Sequence, residues 1–332
     1  MEAFSRLYGR FRRLMHLHTV HRRQQGLCAA AKVRLSVQQA ADVWARRFEE
    51  AGVSEPGPSS QYIVAHVLGV KTMANLEPGI LGRTLTDVQM QQVWELCGRR
   101  LCRMPVQYVI EEWDFRDITL KMRPPVFIPR PETEDLVSFV LADLQPAWGA
   151  GFTVLEVGCG SGAISLSLLQ NLPRLRVIAL DRNKAAVDLT NENAHRLGLR
   201  DRLQVLHLDV MQDAEKVLRE CGLVDVLVSN PPYLFSQDVT SLQPEILDRF
   251  EDLAALDGGA DGLQIIRQIL SLAPHLLKDQ GRVYLEVDPR HPPLIEQYVE
   301  EAKEVGLQYI QTQCDITERP RFSILQKTRP ER

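Results

Sequence analysis

Residues 229–233 read Ser229-Asn230-Pro231-Pro232-Tyr233, and this short run carries what is needed to grip a planar –NH2 group. Asn230 brings a side-chain carbonyl oxygen. The two prolines stiffen the backbone and remove N–H donors, so the segment presents carbonyl acceptors at fixed positions. The Asn230 oxygen and the Pro231 carbonyl then accept the two hydrogens of one amide or exocyclic amine, and Tyr233 offers a π face to stack on its plane. Such a nitrogen is a poor nucleophile, because its lone pair is delocalised. Holding both N–H groups bends it toward tetrahedral geometry and stabilises the positive charge that grows as a methyl group arrives. This is differential transition-state stabilisation, and it needs no general base. In isolation an Asn-Pro-Pro turn is an ordinary strand exit; the neighbouring motifs decide otherwise.

The first neighbour is Glu156-Val157-Gly158-Cys159-Gly160-Ser161-Gly162-Ala163. An apolar strand runs into glycines and then into a helix beginning near Gly162. Glycines there let the backbone turn sharply and let a ligand approach the helix N-terminus. Gly158, Gly160 and Ala163 also satisfy the dinucleotide fingerprint G-x-G-x-x-A, so this loop alone leaves NAD and S-adenosylmethionine both open. Asp181 ends the next strand-like run, where a carboxylate accepts both hydroxyls of a ribose. Asp209 ends the third in the same way, at the adenine edge. A dehydrogenase has no use for an –NH2 clamp, whereas a nitrogen methyltransferase requires one.

The elements that must position these residues are legible as alternating strands and helices from Thr153 onward. Strand-like runs are Thr153–Val157, Val177–Leu180, Leu203–Leu208, Val224–Ser229 and Arg282–Val287. Helical stretches lie between them, and a further helix from about Pro293 to Val305 leads to the runs Gln308–Gln313 and Arg321–Gln326. This order predicts an α/β fold with a parallel sheet covered on both faces. Ahead of it, Tyr108, Ile110, Trp113 and Phe115, then Ile118, Leu120 and Met122 across Arg116-Asp117, read as a β-hairpin. A helix from about Glu132 to Leu144 follows. Earlier still comes a small helical bundle. Its first helix is capped by Ser36 and buries Val37, Ala40, Ala41, Trp44 and Phe48; Pro56-Gly57-Pro58 reads as a turn before a helix over Gln61 to Leu68. Thr86 and Gln89 form a capping box for a third, with Met90, Val93, Trp94, Cys97 and Leu101 as its stripe.

The bulk composition narrows the partners. With 332 residues and a net charge of −4, the chain has no global pull toward nucleic acid. No apolar run approaches the ~20 residues of a membrane helix. The six cysteines are scattered, without zinc spacing, so neither a metal site nor a disulfide framework is expected. Only the first 34 residues stand apart. Arg6, Arg10, Arg12, Arg13, Arg22, Arg23, Lys32 and Arg34 face a single acid, Glu2, and Phe4, Leu7, Tyr8, Phe11, Leu14 and Met15 recur at helical spacing. That is the composition of a mitochondrial presequence.

Taken together, Ile128-Pro129-Arg130-Pro131-Glu132-Thr133-Glu134, the loop from Gly158, Asp181-Arg182 and Asn230 to Tyr233 make the chain resemble the HemK/PrmC family, the release-factor glutamine N5-methyltransferases. The resemblance covers about Ser36 to Gln326. It implies a class I, seven-stranded, Rossmann-like methyltransferase sheet whose last strand is antiparallel, with a helical substrate-recognition domain in front. The expected division is a presequence over 1–34, the helical domain over 35–104, the hairpin linker over 105–131 and the methyltransferase domain over 132–332. By the same resemblance Gly158, Cys159, Gly160, Ser161, Gly162, Asp181, Asp209, Val210 and Asn230 would bind S-adenosylmethionine, and Glu156 would reach its methionine amine. Asn230, Pro231, Pro232 and Tyr233 would hold the glutamine of a Gly-Gly-Gln tripeptide in a release factor, with Asn230, Pro231 and Tyr233 serving the chemistry. The basic segment adds a mitochondrial setting and an organellar release factor. An adenine N6-methyltransferase for DNA or RNA shares the Asn-Pro-Pro-Tyr run; against it stand the Ile128–Glu134 segment and the lack of a dense basic run beyond the presequence. Two departures from the family pattern are Val210, where an aromatic residue is frequent, and Glu318, where a glycine is common in the final hairpin.

Overall fold

The computed structural model describes residues 34–77, 79–144, 151–242, 250–302 and 306–328. Apart from Arg34, the basic segment read as a presequence lies outside the described residues. The chain divides into two compact units, parted between Gly98 and Arg99.

In the first unit, α1 (Val37–Glu50) starts at a capping box in which Gln39 N–H donates to Ser36 Oγ and Ser36 N–H donates to Gln39 Oε1. The whole expected stripe, Val37, Ala40, Ala41, Trp44 and Phe48, is buried. α2 spans Pro56–Val67, so the Pro56-Gly57-Pro58 run expected as a turn is the helix's first turn instead. Proline fits there because the first N–H groups of a helix have no intrahelical partner. α3 (Asp87–Leu101) begins at the Thr86/Gln89 capping box and buries Val93 and Cys97. Arg47 lies over the rings of Trp44 and Trp94, at 4.9 and 4.4 Å.

The second unit opens with a correction. Tyr108 belongs to a single helical turn, α4 (Val106–Val109), and Ile110 caps it; neither is part of the hairpin. Over four residues behind Pro105 the helical and extended periods cannot be told apart in sequence. The hairpin itself is β1 (Glu112–Phe115) with β2 (Ile118–Lys121), paired Phe115 to Ile118. After α5 (Thr133–Leu144) come β3 (Thr153–Val157), α6 (Ala163–Asn171), β4 (Arg176–Asp181), α7 (Lys184–Arg196), β5 (Leu203–His207), α8 (Ala214–Cys221) and β6 (Val224–Ser229). The chain closes with the short α9 (Ser236–Val239), α10 (Gln264–Leu276), β7 (Leu277–Glu286), α11 (Pro292–Glu301), β8 (Leu307–Cys314) and β9 (Pro320–Lys327).

The strands form one seven-stranded sheet in the order β5-β4-β3-β6-β7-β9-β8. β3 to β7 pair in parallel, while β9 runs antiparallel to both β7 and β8. Alternate residues of each strand feed opposite faces. Val154, Val226 and Val228 join one core with α5, α6 and the hairpin, while Leu155, Val157 and Leu227 join a second with α8, α10 and α11. β3 pairs with β4 on one side and β6 on the other. The chain therefore reverses its direction of travel across the sheet at β3, and a crevice opens there beyond the strand ends.

Two further details correct the sequence reading. β7 starts at Leu277, five residues before the expected Arg282, because Lys278, Asp279 and Gln280 are exposed and carry no apolar signal. The final hairpin forms with Glu318 in the left-handed region at φ 61°. Its turn is tied by the Asp315 carboxylate, which accepts from the N–H groups of Thr317 and Arg319 at 2.9 and 3.1 Å.

Candidate active site

The glycine loop leaves β3 and folds back on the end of β4, with Gly158 N–H donating to the Leu180 carbonyl at 2.8 Å. Gly158, Gly160 and Gly162 have φ of 80°, 55° and 85°, a region costly for residues with a Cβ. The three differ in what a Cβ would meet. At Gly158 and Gly160 it would meet nothing within 4 Å, whereas at Gly162 it would strike Leu166 Cδ1 at 2.8 Å. Gly158 and Gly160 thus line an open cavity, and Gly162 allows α6 to pack.

Asp181, at the end of β4, accepts from Gly160 N–H at 3.0 Å and from Asn183 N–H at 2.8 Å. Burial raises its carboxyl above the ordinary range against the pull of those two donors. Asp209 and Val210 line the same cavity, with Leu208, Asn183, Pro125 to Phe127, Asp252 and Ala254. Asn230, Pro231 and Pro232 complete its wall. Four residues expected at the cofactor are set back from it. Cys159 is buried and accepts from Thr190 Oγ1 through its sulfur; Ser161 is buried, and its carbonyl accepts from Asn193 Nδ2. Gly162 is the packing position already noted. Glu156 is buried and accepts both the N–H and the hydroxyl of Ser165, so it braces the first turn of α6. Burial pushes its carboxyl up to about 8 despite those two hydrogen bonds.

A second cavity adjoins the first and is lined by Arg130, Tyr233, Leu234, Leu242 and Leu256. Asn230, Pro231, Phe127 and Ala255 belong to the walls of both. Arg130 is held across this cavity's edge: Nη2 lies 3.0 Å from both oxygens of the buried Glu251, and the guanidinium stacks on Phe127 at 4.8 Å. Burial raises the Glu251 carboxyl even with Arg130 beside it.

Behind the Asn-Pro-Pro-Tyr run lies a network that reasoning from sequence missed. Asn230 Nδ2 donates to Thr133 Oγ1 at 3.1 Å, Thr133 Oγ1 donates to Glu286 Oε2 at 2.8 Å, and Tyr233 OH donates to Glu286 Oε1 at 3.1 Å. Thr133 lies within the Ile128–Glu134 segment, and Glu286 is a lone acid ending an apolar strand. That last feature was the available signal, since a buried carboxylate must find partners. The residues 258–262 press on the loop from the other side. A Cβ at Gly258 would lie 2.7 Å from the Pro232 carbonyl oxygen, and one at Gly262 would lie 2.5 Å from that of Tyr233.

A crevice at the switch point of a seven-stranded sheet, with a glycine loop, strand-end acids and an acceptor-rich proline loop, defines a class I methyltransferase that uses S-adenosylmethionine. The residues fit that donor: the Cβ-free wall at Gly158 and Gly160 leaves room beside the Asp181 carboxylate. Comparison with known proteins narrows the class. The family model described as Methyltransferase small domain matches residues 118–252, and that described as PrmC N-terminal domain matches residues 39–110. The chain is 50% identical over 292 residues to the human MTRF1L release factor glutamine methyltransferase, with 86% of each protein covered. It is 34% identical over 256 residues to the release factor glutamine methyltransferase of Moorella thermoacetica, covering 76% of this chain and 86% of that one. A solved structure of the release factor-specific protein-(glutamine-N5) methyltransferase of Alicyclobacillus acidocaldarius aligns at 23% identity and a TM-score of 0.40, over 61% of this chain and 95% of that one. The chain belongs to the release factor glutamine methyltransferase family.

Proposed function

We propose that this enzyme methylates the side-chain amide nitrogen, N5, of the glutamine in the Gly-Gly-Gln motif of a mitochondrial peptide chain release factor. The observation that carries the reading is the shared wall: Asn230 and Pro231 border both the cavity beside Gly158, Gly160 and Asp181 and the cavity beside Arg130 and Tyr233. A group held by these two residues has the donor on one side and its own side chain on the other. S-adenosylmethionine, when bound, supplies an electrophilic methyl on a sulfonium. Asp181 holds the donor's ribose hydroxyls, and Asp209 and Val210 sit at its adenine. Asn230 Oδ1 and the Pro231 carbonyl accept the two amide hydrogens, and Tyr233 stacks on the amide plane. As the nitrogen gains a bond to carbon its positive charge grows, and these fixed acceptors stabilise it more than they stabilise the ground state. The nitrogen–carbon bond would form as the carbon–sulfur bond of the donor breaks, S-adenosylhomocysteine would leave as a neutral thioether, and the methylated nitrogen would release its extra proton to water.

The helical domain expected over residues 35–104 contributes no motif of its own, and we assign it to recognition of the release factor. The mitochondrial setting rests on the arginine-rich, acid-poor first 34 residues. No helix among the described residues is long and apolar enough to cross a membrane. The test is incubation with labelled donor and, in parallel, an intact release factor, a Gly-Gly-Gln peptide, DNA and RNA, with mass spectrometry of the modified site. Methyl on the glutamine amide is the expected result; methyl on adenine alone would overturn it. Retention of a reporter in the cytosol, when fused behind residues 1–34, would remove the mitochondrial assignment.

A further inference from the structure

An asparagine clamp has a built-in ambiguity. The two ends of a carboxamide are nearly equal in size and opposite in hydrogen-bonding sense, so shape alone does not decide whether Asn230 turns its oxygen or its –NH2 toward a substrate. With the –NH2 inward, two donors face each other and the clamp is repulsive.

The structure contains the device that decides. Thr133 Oγ1 lies between Asn230 Nδ2 at 3.1 Å and Glu286 Oε2 at 2.8 Å. A hydroxyl has one proton to give. Because the Glu286 carboxylate accepts it, Thr133 is left with only lone pairs for Asn230. The end of the amide facing Thr133 must therefore be the –NH2, which turns Oδ1 away from Thr133. The other carboxylate oxygen takes the Tyr233 hydroxyl proton at 3.1 Å, so one anion sets both the clamp and the ring stacked against it. We propose that Thr133 and Glu286 are positioning residues for methyl transfer, a relay from a buried carboxylate that locks the Asn230 amide with its oxygen toward the incoming –NH2. The inference deepens the function proposed above and rests on it.

The relay keeps its polarity only while Glu286 is ionised. Once protonated, its carboxyl can carry the proton on Oε2 and donate to Thr133 there; Thr133 is then free to send its own proton toward Asn230, and the amide is free to turn over. Burial pushes the Glu286 carboxyl up to about 7, against the Thr133 and Tyr233 hydroxyls and the charge of Arg321 on β9, with Glu132 adding to the rise. Loss of the lock is therefore expected as pH falls through about 7.

The test measures kcat and KM of the full chain on the release factor from about pH 6 to 9. Wild type is expected to lose turnover as pH falls through about 7. Thr133→Val keeps the shape and removes the hydroxyl; it should lower kcat about 10- to 100-fold with the donor KM little changed, as loss of an orienting contact does. Thr133→Ser, which restores the hydroxyl, should recover most of that loss. Glu286→Gln cannot accept from both hydroxyls, so kcat should drop at high pH and the limb near pH 7 should vanish. That limb is the readout a merely structural contact would not move, and Glu286→Gln carries the test if Thr133→Val does not fold. Asn230→Ala serves as the control. If wild type leaves the glutamine unmodified, the underlying function is wrong; if Asn230→Ala turns over normally on the same substrate, the clamp assigned to Asn230 falls, and the relay with it. If Asn230→Ala is crippled while folded Thr133→Val or Glu286→Gln keeps wild-type kcat, or the acid limb survives in Glu286→Gln, the relay alone is overturned.

Discussion

The glycine loop after β3 and the proline loop after β6 leave neighbouring parallel strands, yet they hold their shapes by opposite means. The first is built by subtraction. Gly158 and Gly160 take φ values that a side chain would resist, and nothing stands within 4 Å of where their Cβ atoms would be. The second is built by support, with Thr133 and Glu286 behind it and Gly258 and Gly262 pressed against its carbonyls. The difference follows from their tasks. A loop that must accommodate a bulky donor needs room, whereas a loop that must distinguish a transition state from a ground state needs rigidity.

The largest expected effect falls on the supported loop. Asn230→Ala removes one preorganised acceptor and should lower turnover roughly 100- to 1000-fold, the range for such a group, with donor affinity much less changed by calorimetry. At the β4 carboxylate that ties down the subtractive loop, the sign of the split reverses. Asp181→Ala should weaken donor binding about 10- to 100-fold, since hydrogen bonds to a charged group contribute about 1.5–3 kcal/mol. Unchanged donor affinity in a folded Asp181→Ala variant would show that this carboxylate serves only the Gly160 and Asn183 N–H groups it already accepts.

A matched pair of alanines sharpens the contrast. Gly160 and Gly262 have similar φ, 55° and 70°, so backbone strain of about 1–2 kcal/mol should be common to both substitutions. Only at Gly262 does the new methyl meet neighbours, the Tyr233 carbonyl at 2.5 Å and the His291 ring at 2.7 Å. Gly262→Ala should cost about 1–3 kcal/mol more than Gly160→Ala in thermal unfolding, the usual cost of overpacking. Equal losses would mean that the 258–262 turn yields and is no buttress.

How much of this was legible beforehand depended on range. β3 and β6 match the expected Thr153–Val157 and Val224–Ser229 residue for residue, because an apolar run ending in glycine or proline carries its own boundaries. Tyr108 and Ile110 were misread for want of length, and Lys278 to Gln280 were missed because an exposed strand segment has no apolar pattern. At the site, Gly158, Gly160, Asp181, Asp209, Val210 and Asn230 to Pro232 were singled out by type and lie on the cavity wall, whereas Pro125 to Phe127, Asn183 and Asp252 line it without any signal in sequence. Their supports were not found either. Thr133 and Glu286 lie 153 residues apart and meet only in the fold, and the crowding at 258 and 262 exists only because the backbone of Pro232 and Tyr233 passes there. Glu318 shows the converse: a residue disfavoured in the left-handed region is carried there by Asp315 bonding from three positions back.

The smallest effect concerns the two buried carboxylates, one behind each loop. Glu156 is pushed up to about 8 and Glu286 to about 7, both chiefly by burial, against about 4.3 for an unfolded glutamate. An acid whose folded value is raised binds more protons folded than unfolded between those limits. Its contribution to stability is complete below about pH 4.3 and is lost as pH rises, to about 7 for Glu286 and about 8 for Glu156. Without donor, the chain should therefore be less stable at pH 8 than at pH 6, with each carboxylate contributing about 1–2 kcal/mol to the change. Glu156→Gln and Glu286→Gln should each flatten the curve, and the two should separate above pH 7, where Glu156 still holds most of its proton and Glu286 has lost half of its own or more. That separation tells the loops apart by a measurement that involves no substrate. A stability that rises from pH 6 to 8, or a slope untouched by Glu156→Gln, would mean that Ser165 holds Glu156 ionised throughout and that the glycine loop rests on a permanent charge.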